Sequence, residues 1–269
     1  MTLPFTKAHA YGNDFLYVMK RDVETVALDS LAREMCDRHT GIGADGLIVY
    51  ERRHEDISMR LFNADGGTAE VSGNGLRALG ALLLLDDVRP DAAIRVLTDA
   101  GEKSLTRTGR DGMRQTFRAG MGSPAGLRQM SLPVIGEQID VVVLNMGNPH
   151  CVLLGSLPGR ERFSRLGGAL ERHEVFPQGT NVEFVDVEAG DRLRILIWER
   201  GVGPTASSGT GSCASLVAAA AYGGADRDAE VVAPGGSQRV EWKADGVYLT
   251  GWAEVTCDGR WMRPLPAAR

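Results

Sequence analysis

The chain has 269 residues, a formal net charge of −5 and a pI near 5.6. Hydrophobic residues make up 43% of it and charged residues 24%, which excludes an intrinsically disordered chain and leaves room for two domains of ordinary size. Because the basic residues are scattered and the net charge is acidic, we expect a small-molecule partner and no binding to nucleic acid.

The N-terminal segment indicates where the protein is located, and the cysteine spacing indicates whether it binds a metal. Residues 1–7 lack the apolar core of a signal peptide, and no uncharged apolar stretch of about 18 residues occurs anywhere in the chain. We therefore expect a cytoplasmic protein with no membrane partner. The four cysteines, Cys36, Cys151, Cys213 and Cys257, have neither C-x-x-C nor zinc-type spacing, which favours reduced thiols and no metal site.

Short runs rich in β-forming residues and bounded by Gly, Asn, Asp or Pro predict most of the secondary structure. The predicted strands are 15–19, 47–50, 59–62, 94–97, 141–144, 151–154, 182–187, 193–198 and 247–250. The predicted helices are 31–38, 76–85, 161–172 and 212–221. Helices 76–85 and 212–221 are apolar nearly all round, which is typical of a helix surrounded by protein. These elements predict an α/β (α+β) fold in which each domain wraps a curved sheet around a central helix.

Short segments recur along the chain at a nearly constant offset. The matches are Gly12-Asn13 with Gly147-Asn148 (147 − 12 = 135), Gly46 with Asn181 (181 − 46 = 135), Gly66 with Gly201 (201 − 66 = 135) and Ser72 with Ser208 (208 − 72 = 136). Coincidence between glycine-rich turns is the alternative, but four matches in one order predict a duplicated chain of two domains. We expect an N-terminal half at 1–116, a C-terminal half at 117–254, a tail at 255–269 that returns to the first half, and a hinge within 120–126.

Two of the repeated segments carry candidate catalytic groups. Ser72-Gly-Asn-Gly and Ser208-Gly-Thr-Gly each place a small hydroxyl side chain at a glycine turn just before a predicted helix. The N-terminus of a helix attracts anions through its unpaired N–H groups and its dipole, so a carboxylate can bind at either turn. The pattern therefore predicts two related catalytic groups, Ser72 and Ser208.

Several asparagines, a Glu-Arg pair and a histidine are candidates for contacts with a substrate. The asparagines are Asn13, Asn63, Asn74, Asn148 and Asn181, which lie at turns beside strands. Asn suits turns in any protein, but its recurrence in both halves favours a polar pocket. Glu199-Arg200 is either a surface ion pair or a reader of an amino acid, with the Arg on the carboxylate and the Glu on the ammonium. His150 either packs in the core or tunes a catalytic group.

Two further signals are discounted. Gly41-Ile-Gly43-Ala-Asp-Gly46 matches the G-x-G-x-x-G pattern of dinucleotide-binding proteins, but a strand-like run follows it where a helix is required. Cys213 lies well inside the predicted helix and points away from its N-terminus, so we expect a thiol in the core. The sequence therefore predicts no nucleotide cofactor.

The sequence blocks, taken in their order, resemble diaminopimelate epimerase over most of the chain. They are Phe5-Thr-Lys-Ala-His-Ala-Tyr-Gly-Asn-Asp-Phe, Arg38-His-Thr-Gly-Ile-Gly-Ala-Asp-Gly, Phe62-Asn-Ala-Asp-Gly, Gly73-Asn-Gly-Leu-Arg, Asn145-Met-Gly-Asn-Pro-His, Glu199-Arg-Gly and Gly209-Thr-Gly. The resemblance implies two similar α/β domains, each a β-barrel-like sheet around a central helix, with the active site in the cleft between them. It also implies a cofactor-free, two-base epimerisation in lysine and cell-wall precursor synthesis.

In such a reaction one residue removes the α-proton and another returns a proton on the opposite face. The resemblance assigns these roles to Ser72 and Ser208, although the family uses two cysteines there, and Pro204 stands where the family has Glu. The implied substrate contacts are Asn13, Asn63, Asn148, Asn181, Glu199 and Arg200, with backbone donors from Gly73-Asn74 and Gly209-Thr210. Because an alcohol is a far weaker acid than a thiol, serines predict a poor epimerase unless a base such as His150 takes the hydroxyl proton.

Three hypotheses follow from this departure. We adopt the first, the conversion of LL-diaminopimelate to meso-diaminopimelate. The second is a diverged isomerase, epimerase or dehydratase that acts on another amino acid. The third is a protein that binds an amino acid without moving a proton. The sequence leaves open whether the chain forms a homodimer.

Overall fold

The structure, a computed structural model, describes residues 2–53 and 56–268. Its strands are β1 Leu3–Ala10, β2 Asn13–Met19, β3 Gly46–Arg53, β4 Asp56–Asn63, β5 Thr68–Ala69, β6 Ala93–Thr98, β7 Gly101–Asp111, β8 Arg114–Gly122, β9 Ala125–Val134, β10 Glu137–Asn145, β11 Pro149–Leu154, β12 Asn181–Ala189, β13 Arg192–Glu199, β14 Gly203–Thr205, β15 Asp228–Ala233, β16 Gly236–Lys243 and β17 Gly246–Trp261. Its helices are α1 Leu28–Cys36, α2 Gly73–Leu83, α3 Arg160–Glu171 and α4 Gly209–Ala218, with a 3-10 turn at Lys20–Asp22. In these described residues the strands outnumber the helices, and the predicted α/β (α+β) class is confirmed.

The chain divides into two compact units. The first comprises Met1–Ala119 and Gly251–Arg269, and the second comprises Gly120–Thr250. In the first unit β1 pairs antiparallel with β2, β2 parallel with β3, β3 antiparallel with β4, and β4 parallel with β6. In the second unit the same scheme runs from β10 through β11, β12 and β13 to β15. Both units thus share one pairing scheme, whereas the predicted domain bounds stay predictions.

Helices α2 and α4 are buried inside their units. Residues 74–81 of α2 are all buried, and α4 packs against β10–β13, β15 and β16. Cys213, Leu216 and Val217 of α4 share one apolar core with strand residues such as Val152. None of the helices in the described residues is long and apolar enough to cross a membrane. The prediction of two helices surrounded by protein, and of Cys213 as a core thiol, is confirmed.

Both central helices begin earlier than predicted. Helix α2 begins at Gly73 rather than at residue 76, and α4 begins at Gly209 rather than at residue 212. Glycine is a weak helix former, which favoured a turn in the sequence. In the structure the preceding serine caps each helix, so the glycines form its first turn. Helix α4 ends at Ala218, and a π turn, Ala219–Gly223, occupies the rest of the predicted span.

The missed strands differ in burial: β7 and β9 are largely exposed, whereas β15 buries Ala229, Val231 and Ala233 on one face. They are β1, β5, β7, β8, β9, β14, β15 and β16. Strand β7, for example, buries only Leu105 and Arg107 and therefore lacks the apolar alternation that marks a strand. Strand also fills most of the stretch 120–126 that was predicted as a hinge, because β8 ends at Gly122 and β9 begins at Ala125. Only Ser123 and Pro124 lie between the two strands.

The cysteines differ in solvent exposure, and this difference predicts which thiols react in the native protein. Cys36, Cys151 and Cys213 are buried, whereas Cys257 is exposed. Burial, and then the carboxylates of Asp14 and Asp45, raise the pKa of Cys36 to about 12, so that thiol does not ionise near neutral pH. We expect iodoacetamide to modify one thiol per native chain and four after denaturation, as counted by mass spectrometry. Rapid modification of more than one native thiol would contradict the burial.

Candidate active site

The two serines predicted as catalytic groups occupy the same local geometry. Ser72 precedes α2 with φ −119° and ψ 123°, and Ser208 precedes α4 with φ −142° and ψ 129°. Each hydroxyl oxygen accepts a hydrogen bond from the backbone N–H three residues later, at 3.1 Å in both cases. Each serine is therefore the N-cap of a buried helix, where the N–H groups and the dipole favour negative charge.

In the first unit, hydrogen bonds bring Asn13 and Asn74 together. Arg77 Nη2 donates to Asn74 Oδ1, and Asn74 Nδ2 donates to Asn13 Oδ1 at 3.2 Å. Asn13 Nδ2 in turn donates to Asp45 Oδ2 at 2.7 Å. An arginine only donates and a carboxylate only accepts, so the two ends of the chain fix the orientation of both amides. The amide of Asn13 is thereby held beside the first turn of α2.

A charged cluster, formed by Lys7, Asp14, Arg38 and Asp45, supports this arrangement. Arg38 Nη2 bonds Asp14 Oδ1 at 2.7 Å and Asp45 Oδ1 at 2.8 Å, and Lys7 Nζ lies 2.9 Å from Asp14 Oδ2. Burial acts to raise the pKa of Asp14, but the hydrogen bonds from Arg38 and Lys7 outweigh it and lower that pKa. The ionised cluster holds Asp45 in place, and Asp45 holds Asn13.

Asn63 is placed at the same end of the sheet in the first unit but takes no part in that hydrogen-bond chain. It lies opposite Gly46, where β4 ends and β3 begins. Its backbone N–H donates to Gly67 O at 2.7 Å, and its carbonyl accepts from Gly66 N at 2.9 Å. These bonds close the turn after β4, so the contact of Asn63 with a substrate stays a prediction.

In the second unit, a line of hydrogen bonds joins Asn148 and His150 to the start of α4. Asn148 Nδ2 donates to Thr210 Oγ1 at 3.4 Å, and Asn148 Oδ1 lies 2.8 Å from His150 Nε2. His150 Nδ1 lies 2.8 Å from Oε1 of Glu183. His150 is 1% exposed and Glu183 is 0% exposed, which excludes solvent from this pair. His150 is therefore both buried and connected to a predicted substrate contact.

Asn181 fixes the backbone at the end of β13. Its Oδ1 accepts from Arg200 N at 3.0 Å, and its Nδ2 donates to Pro149 O at 3.0 Å. The Arg200 side chain is exposed and bonds only weakly to Gln178 O, at 3.3 Å through Nη1. Glu199 lies opposite Gly203 in the antiparallel pair of β13 and β14. The side chain of Asn181 thus contacts the backbone of Arg200, while the roles of both residues stay predictions.

The residues that sequence reasoning missed are the charged groups behind these amides. They are Asp14, Arg38, Asp45 and Arg77 in the first unit and Glu183 in the second. One of them carried a signal: Glu183 lies within the apolar run of β12, and a carboxylate there is buried on one face of the strand. The others depend on contacts between residues distant in sequence, which no local pattern reveals.

Comparison with known sequences places these features in a family. The sequence model described as Diaminopimelate epimerase matches residues 5–125 and 142–256. A diaminopimelate epimerase of Desulforudis audaxviator is 38% identical over 279 residues, which cover 97% of this chain and 100% of that protein. Diaminopimelate epimerase 1 of a Nostoc species is 38% identical over 286 residues and covers 97% of this chain and 100% of its own length.

Solved structures share the fold at low identity. A probable proline racemase from Agrobacterium radiobacter, with bound carbonate, has a TM-score of 0.73 and 19% identity, covering 96% of this chain and 92% of its own. A hydroxyproline epimerase from Agrobacterium vitis has a TM-score of 0.73 and 16% identity, covering 97% of this chain and 92% of its own. The solved structures share the fold, and the matching sequence regions together with the relatives of 38% identity show that the chain is an isomerase that belongs to the diaminopimelate epimerase family.

Proposed function

We propose that the chain converts LL-diaminopimelate to meso-diaminopimelate by two-base proton transfer at one α-carbon, with Ser72 and Ser208 as the two acid-base groups. The observation that carries this proposal is the matched N-cap geometry of these serines, each at the start of a buried helix and one in each unit. A two-base inversion at carbon needs a proton acceptor on one face of the carbon and a proton donor on the other. Two equivalent capped helices supply such a pair.

The same helix ends stabilise the charge that develops during the reaction. Removal of the α-proton leaves a carbanion whose negative charge spreads into the α-carboxylate. The N–H groups of Gly73-Asn74 and Gly209-Thr210 lie in the first turns of α2 and α4, where a helix has N–H groups without an intrahelical partner. Donors aimed at developing charge stabilise the transition state more than the ground state, so they accelerate proton removal.

The distal end of the substrate carries an ammonium and a carboxylate that do not react. We assign Arg200 to that carboxylate, because its guanidinium is exposed and presents a planar pair of donors. We assign Glu199 to the ammonium. The amides of Asn13, Asn63, Asn148 and Asn181 complete the proposed set of contacts, and hydrogen bonds within each unit already orient three of them.

The serines also favour a second candidate function. An alcohol is a much weaker acid than a thiol, so two unassisted serines suit a reaction that needs little proton transfer from the protein. That candidate acts on another amino acid and is either an epimerase or an isomerase or dehydratase that needs only one base. If the serines transfer no proton at all, the protein would bind an amino acid without turnover.

Proton NMR in D₂O separates these functions. We expect purified protein mixed with LL-diaminopimelate to lose the α-proton signal of the substrate while signals of the meso isomer appear. Ser72→Ala and Ser208→Ala are the matched controls, since each removes one acid-base group, and each should abolish the conversion. Binding without exchange would reject epimerisation of diaminopimelate, and α-deuteration of a different amino acid would establish the second candidate.

A further inference from the structure

His150 on β11 and Glu183 on β12, here called the buried pair, lie directly beneath the N-terminus of α4. A Cβ placed on Gly211 would lie 2.8 Å from Glu183 Oε1 and 3.0 Å from Ser208 Oγ. The carboxylate and the N-cap serine therefore flank the same point of the helix. In the described part of the chain, Glu183 Oε2 has no hydrogen-bond partner although it is buried. A buried carboxylate in this state is costly, so its presence calls for an explanation.

The first unit shows that a helix start of this kind does not need a charged support. A Cβ placed on Gly75 would lie 2.7 Å from Ile48 Cδ1, 3.4 Å from Ser72 Cβ and 3.5 Å from Phe15 Cε2. Ile48 and Phe15 thus occupy, beneath α2, the place that the buried pair occupies beneath α4. Apolar side chains support one capped helix as well as polar ones support the other. The fold alone does not account for the buried pair.

The hydrogen bonds of the buried pair fix how many protons it holds. In this structure the carbonyl oxygen of Asn148 faces His150 Nε2, and because a carbonyl only accepts, this orientation of the amide corresponds to a proton on Nε2. If Glu183 is ionised, Nδ1 must also carry a proton to donate to it. If Glu183 is protonated, it donates to Nδ1 instead. In both cases the pair holds two protons and has no net charge.

Loss of one proton from the buried pair would change which group of the Asn148 amide faces Thr210. The pair would then be Glu183 carboxylate with a neutral ring protonated on Nδ1, and Nε2 would become an acceptor. Asn148 would have to turn its amide so that the NH₂ group faces Nε2 and the carbonyl faces Thr210. Burial raises the pKa of Glu183, and the opposing effect of the His150 ring does not cancel this, which favours the net neutral pair.

Few other charged or titratable groups adjoin the buried pair and could change the number of protons it holds. The strand residues paired with His150 are Leu144 and Asn181, and those paired with Glu183 are Val152 and Ile197, all of them uncharged. Helix α4, which packs above the pair, carries no charged residue and only one titratable side chain, the thiol of Cys213. The neighbouring Cys151 thiol has a pKa raised by burial and then by Glu183, so it stays protonated near neutral pH.

We propose that Glu183 is a positioning residue that sets the number of protons on His150. That number determines whether Asn148 turns its NH₂ group towards Thr210 and towards the distal carboxylate of the substrate. The contact between Asn148 and substrate rests on the proposed function, whereas the proton count does not. In its neutral form the pair makes Asn148 a hydrogen-bond donor. When the pair loses a proton, Asn148 presents an acceptor, which repels a carboxylate.

Nitrogen-15 NMR of the imidazole tests the proton count without reference to activity. In labelled protein, with the His150 signals identified by their loss in His150→Gln, we expect a protonated Nε2 while the pair holds two protons and an Nε2 without a proton once the pair has lost one. In Glu183→Gln the introduced amide can donate to Nδ1, so a neutral ring keeps its proton on Nε2 and should not titrate above neutral pH. Glu171→Gln, which alters another buried carboxylate of the same unit, should leave the His150 signals unchanged. A wild-type ring with a proton on Nδ1 and none on Nε2 at neutral pH would overturn the proposal.

Calorimetry tests the link from the buried pair to the substrate. Above the transition seen by NMR, the Kd of wild-type protein for meso-diaminopimelate should rise about tenfold per pH unit, as expected for loss of one proton, while Glu183→Gln keeps a flat profile. Parallel profiles in the two proteins would overturn the link to Asn148. If the NMR result is as expected and diaminopimelate does not bind at any pH, the proposed substrate fails while the proton count of the pair stands.

Discussion

Replacing both N-cap serines by cysteine, in the double variant Ser72→Cys/Ser208→Cys, is expected to raise the turnover of diaminopimelate by a factor of about 10³ or more. A thiol ionises near pKa 8.5 and an alcohol close to the value of water, roughly 15.7, so the pKa of the group at each position differs by about 7 units, or about 10 kcal/mol. The dipole of a helix N-terminus contributes only about 0.3–2 kcal/mol to stabilising an anion. This contribution is too small to ionise a serine hydroxyl near neutral pH. It is large enough to lower the pKa of a cysteine thiol so that the thiolate can act as a base.

The initial rate of α-proton exchange in D₂O measures this gain. Ser215→Cys is the matched control, since Ser215 lies on α4, is fully buried and donates its hydroxyl proton to Gly211 O at 2.7 Å. That variant adds a thiol to the same helix without placing one at its N-cap, so no gain is expected. A double variant that folds and binds diaminopimelate but exchanges no proton would reject the assignment of these two positions as the acid-base groups.

The catalytic candidates could be predicted because their signal is local. A serine followed by glycines and then an apolar helix occurs at Ser72 and Ser208, and the structure places both at helix N-caps. The extent of the helices was not predictable from the same residues, because glycine at the first two helical positions looks like a turn in sequence. Tertiary burial of α2 and α4 outweighs that weak propensity.

The hydrogen bonds that hold the candidate substrate contacts in place were harder to predict from the sequence. Asn13 and Asn74 were each proposed as contacts, but their hydrogen bond joins residues 61 positions apart, and only the folded chain reveals it. The role of Asp45 as an acceptor for Asn13 depends on the same long-range packing. Glu183 is different, because a carboxylate inside an apolar strand is visible in the sequence and predicts either burial with a partner or a functional role.

The predicted strands include strongly apolar runs, and missed strands such as β7 and β9 are largely exposed, although β15 was missed despite an apolar buried face. The runs around β3 and β12 alternate little but are strongly apolar, whereas β7 exposes most of its side chains. The glycine pattern Gly41-Ile-Gly43-Ala-Asp-Gly46 was discounted as a dinucleotide site because a strand-like run follows it, and strand β3 begins at Gly46. Its loop has a structural role at the end of α1. There the loop 41–44 donates backbone N–H groups to the last carbonyls of that helix.

Gly41→Ala is therefore expected to destabilise the protein by about 3 kcal/mol, the upper part of the range for overpacking. A Cβ on Gly41 would lie 2.3 Å from Glu34 O, 2.7 Å from Met35 O and 2.8 Å from Asp37 O. All three atoms belong to the backbone at the end of α1, so no side-chain rotation can relieve the contact. In thermal unfolding followed by circular dichroism we expect the Tm to fall by roughly 10 °C.

Gly159→Ala is the matched control for this substitution. Gly159 is the N-cap of α3 with φ −64°, and a Cβ placed there would meet no atom within 4 Å. Both variants remove the same conformational freedom from the unfolded chain, so the difference between their Tm values isolates the clash in the folded state. The control should change stability by less than about 1 kcal/mol. Equal Tm values in the two variants would mean that the loop 41–44 does not seal the end of α1, since only a displaced loop could accommodate the new methyl group without cost.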